Sequence, residues 1–234
     1  MLVGENGAGK TAILEAVFLL ARGRSFRTTH SKQLIRHNAP ELIVRGEVEC
    51  DQLVHRLARA KSRSGETRAR IDGEAALKQS RFAELMPLQT LLPGIADLVL
   101  DGPSIRREFV DWGLFHVEHQ YLDLTRRYRK ALTQRAAWLR GAQGLSFDED
   151  PWARDIAKNG VQINMRRRHF VDSLNERIYS VIEALDAQLE VKLAYQGANI
   201  AVDEAALAAQ MADSYERDCR QGITHTGPHR NDID

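Results

Sequence analysis

Eight residues near the start of this chain constrain its fold more than all the rest. Gly4-Glu5-Asn6-Gly7-Ala8-Gly9-Lys10-Thr11 satisfies G-x-x-x-x-G-K-[ST], with Leu2 and Val3 before it and a run of helix formers, Ala12 to Ala21, after it. A strand, a glycine loop and a helix in that order make a P-loop, and a P-loop commits the chain to an α/β nucleotide-binding fold. Each position has its own reason. Glycines at 4, 7 and 9 let the backbone turn successive N–H groups inward, where they and the positive end of the following helix hold phosphate oxygens. Lys10 would set an ammonium against the β- and γ-phosphates, the Thr11 hydroxyl would be the protein ligand to Mg²⁺, and Glu5, Asn6 and Ala8 shape the crown of the loop. The expected cofactors are therefore ATP and Mg²⁺.

The strand before the loop is reduced to Met1, Leu2 and Val3, so the chain is expected to be a piece clipped within its first strand. Its 234 residues, 43% hydrophobic and 28% charged, suffice for one large domain or two small ones. The net charge of +1 conceals an uneven distribution. Arg22 to Arg70 carries twelve Lys/Arg against five Asp/Glu, whereas Glu183 to Asp218 carries eight acids against two bases. The first segment should attract phosphate backbones and the second should not. Cys50 and Cys219 share no metal-ligand or redox spacing, which fits free thiols in a reducing compartment. The longest apolar run, AILEAVFLLA, is cut by Glu15 and too short to span a bilayer, so no membrane is expected and the cytoplasm is.

Farther along, Leu42–Glu49 and Gln52–Ala60 alternate apolar and polar residues, and Arg68–Ile71 leads into an Asp72-Gly73 turn, which predicts an antiparallel β-meander. From Pro103 the period becomes helical: Tyr121, Leu124, Tyr128, Leu132 and Leu139 recur at helical steps, as do Phe170, Leu174, Ile178, Ile182 and Leu185. Asp148 to Pro151 reads as an exposed turn between two such helices. Leu189 to Tyr195 alternates like a strand, Asp203 can cap a helix running towards Cys219, and Gly222 can end it. Two acids could serve hydrolysis, Asp101 after the apolar Leu98-Val99-Leu100 and, more weakly, Asp186. Each also reads as an ordinary turn or helix end.

Several segments together resemble the RecF family of bacterial recombination-repair proteins, related to the ABC-type ATPase heads of structural-maintenance-of-chromosomes proteins. They are GENGAGKTAILEA from Gly4, GRSFRTT from Gly23, RIDG from Arg70, DGPSIRREFVDW from Asp101, HVEHQYLDLTRRYRKALTQR from His116 and THTGPHRNDI from Thr224. The resemblance implies an ABC-type ATPase lobe I over residues 1–102, with P-loop and meander, and a helical lobe II inserted over 103–222. Residues 223–234 would lead back into lobe I. It also implies an ATP-dependent homodimer that clamps DNA at single-strand gaps and, with RecO and RecR, helps load RecA during repair and the SOS response. The signature serine-glycine motif and the acidic strand end would lie beyond Asp234, so the chain is expected to be clipped at that end too and to hydrolyse ATP negligibly. The longer protein would be a slow DNA-dependent ATPase. The same comparison removes Asp101 as a catalytic acid and makes Gln89, followed by Pro93-Gly94, a weak match to a Mg²⁺-sensing glutamine.

Arg22, Arg24, Arg27, Lys32 and Arg36 follow the first helix, and Arg56, Arg59, Lys61, Arg63, Arg68 and Arg70 decorate the meander, so a basic edge beside the nucleotide is expected to meet DNA phosphates. Arg126, Arg127, Arg129 and Lys130, and Arg166, Arg167 and Arg168, read as wet helix faces. His225 and His229 flank Gly227-Pro228; with no cysteine or acid cluster beside them, no zinc is expected. Two rival readings remain, a small-molecule kinase of the P-loop class and a fragment that binds ATP without hydrolysing it. The long helical insert suits a lever or a dimer surface better than a kinase lid.

Overall fold

The computed structural model describes residues 1–50, 52–76, 78–90, 102–118, 120–141, 144–185, 189–197 and 200–234. The chain divides into two compact units, Met1–Leu92 and Pro93–Asp234.

In the first unit, α1 (Lys10–Arg22) is followed by β1 (Glu41–Cys50), β2 (Leu53–Ser62), β3 (Thr67–Ile71), β4 (Glu74–Ala75) and the short α2 (Gln79–Leu85). The strands pair antiparallel in sequence order, so the expected meander is present. Period-two alternation gives the sheet two faces. Val44, Val48, Leu57, Ala69 and Ile71 turn inward and close a small core with Leu20 of α1 and Phe82 of α2. α1 stops at Gly23, whose φ of 70° closes a bond from its N–H to the Leu19 carbonyl. Met1, Leu2 and Val3 are exposed and form no strand.

The second unit is helical: α3 (Pro103–Val117), α4 (Tyr121–Leu139), α5 (Ala153–Ala184), α6 (Glu204–Asp213) and α7 (Tyr215–Gln221), with a two-stranded ribbon of β5 (Tyr195–Gln196) and β6 (Asp232–Ile233). Its core combines Leu114, Tyr121, Leu124, Tyr128, Ile156, Ile163, Leu207 and Met211, the apolar stripes of four helices. α3 and α5 approach closely because position 113 has no side chain: a Cβ there would stand 2.3 Å from the Phe170 ring. No described helix is long and apolar enough to cross a membrane.

Three expectations change. The stretch Leu189 to Tyr195 is a strand only from Tyr195, because the Asn175 side chain accepts from the Leu193 N–H at 2.7 Å and donates to its carbonyl at 2.8 Å. With its main-chain groups satisfied by a side chain, Leu193 has none left for a ladder. The helix after Asp203 begins as expected, with the Asp203 carboxylate accepting from Ala206 N–H at 2.7 Å, but it breaks at Ser214 into α6 and α7. The turn before α5 is not simply exposed, since the Asp150 carboxylate is wholly buried against Arg135.

Candidate functional site

The glycine loop arrives at α1 with Gly7 at φ 85° and Gly9 at φ 89°, conformations that a side chain would strain. Gly9 is itself the N-cap of α1, and no acidic residue in the first turn offsets the helix's positive end. Residues 4–9 are all exposed, and nothing lies within 4 Å of where a Cβ would stand on Gly7 or Gly9, so the loop is open to solvent. The Lys10 ammonium folds back across it and donates to the Gly4 carbonyl at 2.6 Å and the Glu5 carbonyl at 2.7 Å. Glu5, Asn6, Ala8 and Thr11 are exposed around the same loop. The loop can therefore offer main-chain donors, one mobile cation and a hydroxyl to an anion.

The basic residues divide. Arg24, Arg27 and Arg56 are exposed, Arg27 contacting Glu15 at 3.4 Å and Arg56 contacting Glu47 at 3.1 Å. Arg22 donates to the Leu88 carbonyl at 3.1 Å, and Arg63 braces the preceding loop through the Ala39 and Arg36 carbonyls. Lys61 is half-buried. Arg59 does not belong to the basic edge: it is 6% exposed, donates to the Leu20 carbonyl at 2.7 Å and Gln79 Oε1 at 2.6 Å, and lies 3.8 Å over the Phe82 ring. Burial pulls its pKa down to about 10, the mark of a structural cation tying α1 to α2. The strand register instead gathers Arg45, Ala58 and Arg70 in one row, with Arg68 opposite Ala60 in the next, so three arginines flank a floor of small side chains on the outer face. Sequence pattern alone does not single out Arg45. Asp101, Asp186, Pro93 and Gly94 lie outside the described residues.

In the helical unit, Arg126, Arg127, Arg129 and Lys130 are exposed, whereas Arg167 is buried. Arg167 forks onto Asp111 at 2.8 and 3.0 Å and donates to the Pro228 carbonyl at 2.6 Å. His225 contacts Asp218 at 2.7 Å. The Thr224 carbonyl can only accept, so His229 Nε2 carries the proton it shares with that oxygen at 2.9 Å, and Nδ1 accepts from the Tyr128 hydroxyl at 2.8 Å. Burial lowers the His229 pKa from 6.5 to about 4, so the folded state holds the ring neutral. A histidine whose pKa falls on folding contributes stability above its unfolded value and loses it as pH drops towards the folded one. Urea unfolding followed from pH 7 to pH 4.5 should therefore show stability declining below about 6.5, and less steeply in His229→Gln; equal slopes would remove His229 as the cause.

No protein-family model matches the chain. Curated relatives do. The DNA replication and repair protein RecF of Stutzerimonas stutzeri (strain A1501) is 36% identical over 235 residues, all of this chain and 63% of that protein. RecF of Shewanella denitrificans is 33% identical and RecF of Pseudoalteromonas translucida 34%, each again across the whole chain and 64% of the relative. The whole chain is similar to RecF proteins. It spans about 64% of the length of these RecF proteins. The fold agrees: a solved structure of the recombination mediator RecF with ATP, from the RecFOR pathway, superposes with a TM-score of 0.80 over 97% of this chain and 64% of that one, at 22% identity. A second RecF structure, with ATPrS, gives 0.79 over 98% and 65%, also at 22% identity. The architecture is that of RecF, an α/β P-loop fold of ABC-ATPase type with a helical portion.

Proposed function

We propose that this chain is a member of the RecF family, binds Mg·ATP at Gly4–Thr11 and acts in DNA replication and repair as a DNA-binding protein governed by that nucleotide. The observation that carries the reading is the open glycine loop with Lys10 folded over it, tied to nothing but two carbonyl oxygens. The amides of residues 5–9 would hold the phosphates, the Lys10 ammonium would leave Gly4 and Glu5 for the β- and γ-oxygens, and the Thr11 hydroxyl would hold Mg²⁺. Magnesium would neutralise charge between the two outer phosphates. ATP fits because the loop ends on a helix whose positive end no acid offsets.

DNA would lie on the exposed cations of the first unit, Arg24, Arg27 and Arg56, with the row of Arg45, Arg68 and Arg70 on the outer sheet face, while Arg59 stays inside. Such cations grip phosphates without reading sequence. The division into lobe I at 1–102, helical lobe II at 103–222 and a return at 223–234 belongs to the same reading. So do an ATP-dependent homodimer closing on gapped DNA, action with RecO and RecR to load RecA, a place in the SOS response, and the cytoplasm. The kinase alternative gives way to the family assignment.

The test is a fluorescence-anisotropy titration of gapped duplex DNA with Mg·ATP, with Mg·ADP and without nucleotide. Mg·ATP should raise affinity at least about tenfold, a difference of roughly 1.4 kcal/mol. Equal affinities in the three conditions would sink the switch.

A further inference from the structure

The helical unit holds a cleft of about 500 Å³ that the phosphate loop does not share, walled by Ser104 and Arg107 of α3, Thr125 and Arg129 of α4, and His229. Leu132 and Ile163 give it an apolar floor. Its charges are unevenly satisfied. Asp111 is engaged by Arg167 through both oxygens, at 2.8 and 3.0 Å, and Asp232 is engaged by Arg106 at 3.0 and 2.6 Å. Arg107 keeps a single bond, from Nη1 to the Asn231 carbonyl at 2.8 Å, so its Nε and Nη2 have no partner among the described residues. Arg129 reaches Asp111 only at 3.7 Å and is 75% exposed. Glu108 also lines the cleft but is exposed. Burial lowers the pKa of Arg107 and the neighbouring Arg167 lowers it further, outweighing the opposite pull of Asp232 and Asp111.

We infer that this cleft is a second anion site, taking a phosphate-bearing small molecule between Arg107 and Arg129. Two arginines line the cleft from different helices, and a tetrahedral phosphate can accept from both, whereas a planar carboxylate is served by one fork. A concave site with an apolar floor fits a small organic phosphate better than the convex backbone of a duplex. The His229 ring, neutral and already bonded at both nitrogens, adds shape without charge. The inference stands apart from the nucleotide at Gly4–Thr11 and survives the failure of that reading.

The experiment uses the chain carrying Lys10→Ala, so that the P-loop contributes little phosphate affinity. Inorganic phosphate, glycerol 3-phosphate and, at matched ionic strength, acetate are titrated while backbone amide resonances are followed by NMR. Both phosphates should produce saturable shifts at Ser104, Thr125 and His229, and acetate should not. Arg129→Gln, on a side chain outside the packing, should weaken binding about tenfold, as should Arg107→Gln. Absent saturation at these residues, equal shifts with acetate, or unchanged affinity in Arg129→Gln would each overturn the assignment.

Discussion

Lys10→Ala is expected to lower the affinity for Mg·ATP about a hundredfold, roughly 2.7 kcal/mol, the scale of one or two charged hydrogen bonds lost at a phosphate. In the structure the ammonium bonds only the Gly4 and Glu5 carbonyls, on an exposed loop where water can replace it. The folded state should therefore change little, and the loss should appear in binding alone. Lys10→Arg should not restore it, because a planar guanidinium cannot enter a loop shaped around a compact ammonium. Calorimetric titration with a non-hydrolysable ATP analogue measures both variants beside the parent. Affinity retained in Lys10→Ala would remove the basis for a nucleotide at this loop.

Arg135→Met is expected to destabilise the helical unit by about 3–5 kcal/mol, the usual consequence of breaking a buried ion pair from one side. Arg135 is 0% exposed and donates to Asp150 at 2.6 Å, to Asp218 at 2.6 Å and to Thr224 Oγ1 at 2.8 Å. Without it two carboxylates would remain in an apolar interior, only Asp218 keeping a histidine beside it at 2.7 Å. Adding Asp150→Leu and Asp218→Leu to Arg135→Met should recover much of the loss, since apolar replacements of a whole buried ionic cluster are often neutral. Urea titration of helical circular dichroism decides it. A loss under about 1 kcal/mol in the single variant would mean the cluster is solvated.

The parts that could be read from the sequence are those whose physics is local. A glycine loop, an alternating strand pair and an Asp203 cap depend on residues within a few positions of one another, and each stands where expected. Arg59 and Arg167 depart from expectation for one reason: charge alone does not mark exposure. Periodicity held the contrary signal. Arg59 lies two residues beyond Leu57, on the same face of β2, and Arg167 lies midway between Ile163 and Val171 on the buried stripe of α5. Arg135 continues the stripe of Tyr128, Ala131 and Leu139. The acidic partners of Arg135 and Arg167 carry no such signal. Asp111 lies 56 residues from Arg167 and Asp218 lies 83 from Arg135, separations that no local pattern spans.

The Arg135 cluster also bears on how this portion of the chain matures on the ribosome. Arg135 is made first, yet two of the three groups it donates to, Asp218 and Thr224, come more than eighty residues later. Until they arrive, the guanidinium has only Asp150 of these three partners, and its Nη1 must stay hydrated. Completion of the interior is thereby coupled to delivery of residues 218–224, and a nascent chain stalled short of Asp218 should remain loose and open to proteases.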